Sequence, residues 1–151
     1  LTMLLDVVYN HFGPDGNYLR AFSEVYFTHE IITPWGDSPS FAHPAMRSYL
    51  LGNALFWLDE VGLDGLRLDA IQHIHDPSPV PILRQLADLV HGLPDRAILV
   101  AEDWRNDPAV VHELGLDGIL ADDFHHQSRV LLTGEDDGYY GGYQRAVADL
   151  A

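Results

Sequence analysis

Four short apolar runs alternate with longer segments along the chain, and this alternation constrains the fold more than any other feature. The runs cover Met3 to Val8, Leu63 to Asp69, Ala97 to Ala101 and Leu116 to Ala121. Continuous hydrophobicity over a few residues is typical of strands that are buried on both faces of a parallel sheet. Strands that alternate with helices predict parallel βαβ units, either in an open doubly wound sheet or in an eight-stranded barrel.

The segments between the runs divide into helices and irregular stretches. Apolar residues recur at helical spacing from Met46 to Val61, with Gly62 following as a C-terminal cap, and again from Leu83 to Val90. The residues from Phe12 to Ala42 lack this periodicity and predict a long functional loop. A second polar, glycine-rich loop is predicted after the last run, as far as Gly142.

The acidic composition restricts the partners of the chain. Lysine and arginine number 8 against 23 aspartate and glutamate residues, so the formal net charge is −15 at pH 7 and nucleic acid is not expected as a partner. The lack of cysteine excludes disulfides and thiol nucleophiles and favours a reducing compartment, so we expect a cytoplasmic location. No apolar stretch approaches the roughly 18 residues of a membrane span, so no membrane partner is expected either.

Charged and polar residues stand at or just past the end of every predicted strand. They are Asp6 with Asn10 and His11, Arg67 with Asp69, Glu102 with Asp103, and Asp122 with Asp123. In a barrel, the carboxyl ends of the strands carry the active site. The alternative is that these acidic residues only cap the segments that follow.

Arg67 and Asp69 are two positions apart in one run, so their side chains share a face of the strand. A guanidinium group favours the ionised form of a neighbouring carboxylate, which is the form that an oxygen nucleophile requires. Asp69 is therefore a candidate nucleophile, and a buried structural ion pair is the alternative. Asp6 is expected to be buried in its own run, to pair with Arg67 and to belong to the framework of the site.

Glu102 closes the next run, behind the apolar residues Ile98 to Ala101. Apolar surroundings raise the pKa of a carboxyl group, so that it holds a proton near neutrality as a general acid must. Neighbouring strands lie about 4.7–4.9 Å apart, so carboxyl groups at equal height approach the roughly 5–5.5 Å separation of retaining glycosidases. The two residues thus predict glycoside hydrolysis with retention of configuration.

Three segments resemble conserved segments of the alpha-amylase superfamily of glycoside hydrolases. They are Asp6-Val7-Val8-Tyr9-Asn10-His11, Gly65-Leu66-Arg67-Leu68-Asp69-Ala70 with His73, and Ala101-Glu102. The resemblance implies an α/β fold of the TIM type, a (β/α)8 barrel. It also implies that Asp69 is the nucleophile and Glu102 the acid/base, while His11 and Arg67 line the site of the sugar that is cleaved.

Longer stretches between Leu4 and Tyr143 resemble one branch of that superfamily, the malto-oligosyltrehalose trehalohydrolases. They are Asn10 to Leu19, Tyr26-Phe27-Thr28, Thr33-Pro34-Trp35-Gly36, Asp122 to His126, and Leu132 to Glu135 with Gly138-Tyr139-Tyr140. This resemblance implies cleavage of the α-1,4 bond beside the terminal trehalose of a maltooligosyl trehalose, which releases trehalose. A branching, debranching or amylase enzyme and a truncated barrel that only binds glucan remain the alternatives.

Other residues are candidates for contact with a maltooligosaccharide-type substrate. Tyr9 and Trp35 are expected either to stack on sugar rings or to pack within loops. Asp123, His125 and His126 lie in the second predicted loop, which is a candidate for the selection of trehalose. Their spacing does not favour metal binding, so neither a metal nor another cofactor is expected, and the oligomeric state is left open.

The chain departs from the superfamily in one respect. Members also need a third catalytic aspartate in a fourth segment, usually an Asn-His-Asp or similar run, and no such run occurs in residues 1–151. By their order, the four runs would be strands three to six of eight, within a fragment of one catalytic domain. A barrel that lacks strands exposes two sheet edges, so this piece alone is expected to be aggregation-prone and inactive.

Overall fold

The computed structural model describes residues 1–143 and residue 147, without the side chains of residues 29, 30 and 32. Strands and helices alternate through most of this part of the chain. They are β1 (Leu4–Val7), α1 (Leu19–Phe22), β2 (Phe27–Thr33), β3 (Gly36–Pro39), α2 (Pro44–Leu55), β4 (Gly65–Leu68), α3 (Ile82–His91), β5 (Ile98–Glu102), α4 (Ala109–His112), β6 (Gly118–Leu120) and α5 (Asp122–Thr133). None of these described helices is long and apolar enough to cross a membrane.

The four predicted strands form one parallel sheet in the order β1-β4-β5-β6. The α/β prediction is therefore confirmed. Arg67 lies opposite Asp6 on β1, and Leu68 lies opposite Ala101 on β5. One residue further along β4 and β5, the same register brings Asp69 beside Glu102.

The core lies between the sheet and the helices. Leu66, Leu68, Leu99 and Ala101 are completely buried there, and the apolar stripe of α3 packs into the same cluster. A fully buried leucine stabilises the fold by roughly 1.5–3 kcal/mol relative to an exposed one. Because strand side chains alternate between the two faces, burying these residues turns Arg67 to the opposite, open face.

The first strand is less buried than its sequence predicted. β1 is an edge of the sheet in the described residues, Leu4 on it is 45% exposed, and the Asp6 side chain is 63% exposed. The expectation of burial on both faces was thus wrong for β1, because no described strand pairs with its outer side.

Both predicted loops contain regular structure. The first holds α1 and the antiparallel hairpin β2–β3, whose second strand reads Gly-Asp-Ser-Pro and carries no apolar alternation. The second begins with the twelve-residue helix α5, which has two acidic residues in its first turn and ends at Gly134 in a left-handed conformation. Only Gln127 and Val130 of α5 are buried, so its apolar stripe was too narrow to be recognised.

Candidate active site

Arg67 contacts the carboxylates of three different residues at the carboxyl edge of the sheet. Its Nη1 lies 2.6 Å from Asp6 Oδ1 and 3.1 Å from Asp69 Oδ1, and its Nη2 lies 2.6 Å from Glu102 Oε2. The expected pairing of Asp6 with Arg67 is therefore confirmed. Because one guanidinium group reaches both Asp69 and Glu102, the two carboxylates lie within the span of a single side chain.

Asn10 fixes the position of Asp69. The Asn10 amide is buried, and its Nδ2 donates hydrogen bonds to the backbone oxygen of Asp69 at 2.7 Å and to Oδ2 at 3.0 Å. His11 Nδ1 lies 2.5 Å from Asn10 Oδ1, an oxygen that only accepts, so Nδ1 is the donor. The sequence marked Asn10 as a polar residue after a strand but gave no sign of this orienting role.

Glu102 is held by the backbone of the residue that follows Asp69. Ala70 has φ 41° and ψ 57°, a left-handed conformation that is uncommon for a residue with a Cβ atom, and its N–H donates to Glu102 Oε2 at 3.2 Å. Burial raises the pKa of Glu102 above its ordinary value, and the charges of Asp122 and Asp69 add to this effect. The Ala70 N–H and Arg67 act in the opposite direction but do not cancel it.

A cavity of about 550 Å³ contains these carboxylates, and we call it the cleft. Four residues that the sequence predicted for the site line it, namely His11, Trp35, Asp69 and Glu102. The cleft is also lined by six residues that were not among the predicted catalytic or substrate-binding residues: Asn10, Ala70, Gln72, His73, Asp122 and Tyr139. The signal for Asp122 was its place directly after an apolar run, and Tyr139 belongs to a stretch that resembles the trehalohydrolases. Gln72 gave no signal.

Two of the cleft residues offer contacts to a ligand. The Trp35 ring is 51% exposed and lies 5.9 Å from the His11 ring and 5.3 Å from the His73 ring. Gln72 Oε1 is buried and accepts no hydrogen bond from the described residues. An exposed aromatic face and an unsatisfied buried acceptor both suit a ligand that carries C–H faces and hydroxyl groups.

Tyr9 is not part of the cleft. It packs against the core, and its hydroxyl donates to Asn53 Oδ1 at 2.8 Å. Burial, together with Tyr49, raises the pKa of the Tyr9 hydroxyl far above its ordinary value. The suggestion that Tyr9 stacks on a sugar is thus replaced by the packing alternative, because β1 turns this ring toward α2.

The predicted residues of α5 also lie outside the lining of the cleft. Asp123 accepts hydrogen bonds from the Asn106 amide and from the Phe124 N–H, and His125 is exposed beside β6. His126 Nδ1 lies 3.1 Å from the Tyr143 hydroxyl, and its ring contacts Tyr139 and Tyr140. No group of three metal-ligating side chains that could hold a metal occurs among the described residues.

A second cavity of about 550 Å³ lies between the β2–β3 hairpin and residues 74–77. Its one carboxylate, Asp76, is already paired with Arg47, at 2.7 Å from Nη1. The pair is largely buried, and Arg47 also donates to the backbone oxygens of Phe41 and Val80. The one carboxylate of this cavity is therefore held in a structural ion pair.

Comparison with known proteins places the chain in a superfamily. No protein-family model matches it. It is 50% identical over its whole length to a malto-oligosyltrehalose trehalohydrolase of Deinococcus radiodurans and covers 25% of that protein. A protein of the same name from Saccharolobus solfataricus is 42% identical over 95% of the chain, which spans 26% of it.

The fold has a counterpart among solved structures. A Salmonella typhimurium protein proposed to be an alpha amylase superimposes with a TM-score of 0.85 and 38% identity, over 93% of this chain and 26% of the other. The chain thus spans about a quarter of the length of the relatives it matches, and its sheet forms part of a (β/α)8 barrel. In sequence and in fold, the chain is a member of the alpha-amylase superfamily of glycoside hydrolases that resembles the malto-oligosyltrehalose trehalohydrolases along its whole length.

Proposed function

We propose that the polypeptide containing this segment is a retaining glycosidase that releases trehalose from maltooligosyl trehalose. The observation that carries the proposal is the contact of one guanidinium group, that of Arg67, with both Asp69 and Glu102. The names of its relatives support the narrower choice of substrate. We further propose that β1, β4, β5 and β6 are strands three to six of one catalytic barrel, in the cytoplasm.

The proposed reaction has two steps. Asp69 attacks the anomeric carbon of the glucose next to trehalose while Glu102 gives its proton to the glycosidic oxygen, and trehalose leaves. Glu102 then takes a proton from water, which attacks the same carbon and breaks the bond to Asp69. Asn10 and Arg67 each hold one oxygen of Asp69, so the nucleophile is oriented before substrate enters.

The cleft offers contacts that suit a glucan. His11 and the unsatisfied Gln72 oxygen present polar atoms to sugar hydroxyl groups, and Trp35 presents an aromatic face. Tyr139, which is 88% exposed, lines the same cleft from the segment that follows α5. We propose that Trp35 and Tyr139 take part in the choice of a terminal trehalose over a maltose unit.

The decisive experiment incubates the complete polypeptide encoded with this segment with maltooligosyl trehalose and, separately, with starch. We expect release of trehalose, with the new reducing end of the remaining maltooligosaccharide formed first as the α anomer in proton NMR. Starch cleavage without trehalose release would favour an amylase or debranching enzyme. Binding of glucan without any cleavage would favour a barrel that has lost its activity.

A further inference from the structure

Asp122 lies at the same end of the sheet as Glu102 and lines the same cleft. The register of β5 and β6 places Leu120 opposite Glu102, and Asp122 follows two residues later as the first residue of α5. Because side chains two apart in extended backbone share a face, Asp122 comes to the open side of the sheet. Its carboxylate lines the cleft with Asp69 and Glu102, and it has no hydrogen-bond or ion-pair partner among the described residues.

The surroundings of Glu102 create a difficulty for the proposed reaction. A general acid must start protonated, yet the Arg67 guanidinium lies 2.6 Å from Glu102 Oε2 and the Ala70 N–H donates to the same oxygen. Both contacts favour the ionised carboxylate. The charged or titratable groups around Glu102 in the cleft are Arg67 from β4, Asp69 directly after β4, Asp122 from α5, His11, His73 and Tyr139.

We propose that Asp122 is a positioning residue for Glu102: the Asp122 carboxylate shares the cleft with Glu102 and keeps Glu102 protonated against Arg67 until the substrate arrives. The inference rests on the proposed function, because it gives Asp122 a task only if Glu102 is the acid. Asp122 acts through Glu102 and makes no bond to the reacting atoms. The burial of Glu102 and the charges of Asp122 and Asp69, which all raise its pKa, agree with this role.

The two negative neighbours of Glu102 behave differently during the reaction. When Asp69 forms an ester with the sugar, its charge disappears, and Glu102 more readily loses its proton and serves as the base of the second step. Asp122 forms no bond in either step, so its effect on Glu102 is the same before and after the ester forms. Asp122 therefore raises the pKa that Glu102 has before the reaction begins. The loss of charge on Asp69 then lowers that pKa between the acid step and the base step.

A carboxylate in the first turn of a helix also stabilises the helix dipole, so the test must separate the two roles. We measure kcat/KM against pH for the complete polypeptide, where the alkaline limb reports loss of the acid's proton in the free enzyme. In Asp122→Asn the limb is expected to move to lower pH, and Asp122→Glu is expected to restore it. Asp123→Asn removes the same charge from the same helix turn, but its carboxylate bonds to Asn106, so the limb is expected to stay.

A second measurement does not depend on turnover. The carboxyl carbon of Glu102, followed by carbon-13 NMR without substrate, is expected to titrate at lower pH in Asp122→Asn, and in Asp122→Ser as a second neutral variant. An unchanged midpoint or limb in the folded variants, or equal shifts in the Asp123 and Asp122 variants, would overturn the proposal. Absence of glycosidase activity in the wild type would instead refute the proposed function, whereas the NMR midpoint would still decide whether Asp122 acts on Glu102.

Discussion

At the scale of single residues, Arg67 is the side chain on which the arrangement of acids depends. Its planar guanidinium group has two terminal nitrogen atoms at fixed separation: Nη1 contacts Asp6 and Asp69, and Nη2 contacts Glu102. A lysine ammonium group is a single point charge that lacks this fork. The geometry of the two candidate catalytic carboxylates therefore requires arginine and not merely positive charge.

We accordingly expect Arg67→Lys to reduce kcat/KM for maltooligosyl trehalose by roughly a hundredfold or more, because misplacement of reacting groups by about 1 Å has that effect. The matched control is Arg84→Lys, since Arg84 forms an exposed pair with Asp88 on α3. Steady-state kinetics on the complete polypeptide measure both. Equal activity of wild type and Arg67→Lys would contradict the bridging role.

The two carboxylates differ in their expected response to neutralisation. Glu102→Gln should lower kcat by about 10²–10⁴, the contribution of general acid catalysis, and should recover with a substrate whose leaving group needs no proton. Asp69→Asn should show no such recovery, because no leaving group replaces a nucleophile. Initial rates on both substrates, with the surface variant Asp88→Asn as control, separate the roles.

The site residues that could be predicted from the sequence are those whose positions follow from strand geometry. Arg67 and Asp69 follow from the two-residue repeat, and Glu102 follows from the end of an adjacent run. For Tyr9 the sequence left stacking on a sugar and packing open, because the turn of the chain after β1 decides which way the ring points. The orienting contact of Asn10 depends on hydrogen bonds across 59 positions, which no local pattern reveals.

At the scale of elements, the β2–β3 hairpin positions Trp35 through a glycine. Gly36 has φ +141°, and a Cβ atom at this residue would lie 2.0 Å from the backbone oxygen of Phe12. Phe12 and Asp37 exchange two backbone hydrogen bonds at this point, so the hairpin is fastened next to His11. The turn that carries Trp35 is thereby fixed against the chain that leaves β1.

Gly36→Ala is expected to destabilise the chain by about 1–3 kcal/mol, because it combines an unfavourable φ with overlap against backbone. Gly52→Ala provides the opposite control. Gly52 lies within α2 with open space around it, so alanine there should stabilise by roughly 0.5–1 kcal/mol. Urea unfolding measures both, and destabilisation of similar size in the two variants would contradict this interpretation.

Helices and strands were predictable where their buried face produces a regular spacing of apolar residues in the sequence. The strands of the sheet and the helices α2 and α3 carry that period, since each has one continuous apolar face or run. The β2–β3 hairpin and α5 do not, because few of their side chains enter the core. Tertiary contacts and a glycine turn, rather than local hydrophobicity, define those two elements.

At the scale of the whole molecule, three aspartates with buried or largely buried side chains accept several hydrogen bonds each. Asp76 pairs with Arg47, Asp103 with Arg105, and Asp117 accepts from the Leu99 N–H while contacting His91 and Arg96. Burial alone would raise the pKa of each group. Hydrogen bonds from Ser78, Arg47 and Ile82 outweigh burial and lower the pKa of Asp76, and comparable contacts lower those of Asp103 and Asp117.

Stability is therefore expected to fall in acid. A carboxylate whose pKa is lower in the folded state stabilises the fold above its unfolded pKa, near about 4, and that stabilisation is lost as the pH falls through the folded pKa. The free energy of unfolding in urea should decrease from pH 5 to pH 2. Asp76→Asn should be less stable at pH 5 and should show a smaller decrease, and an equal decrease would contradict the assignment.

The candidate catalytic residues and the candidate specificity residues lie on different parts of the fold, and this has a consequence for how the two sets can vary. Arg67 and Glu102 belong to adjoining strands of a hydrogen-bonded sheet and Asp69 directly follows one of them, whereas Trp35 and Tyr139 lie on segments outside the sheet. Mutations in those outer segments are free to accumulate without disturbing the bond-breaking pair. Under the proposed function, substitutions in these outer segments alter which glucan is preferred, while the sheet preserves the stereochemical outcome of cleavage.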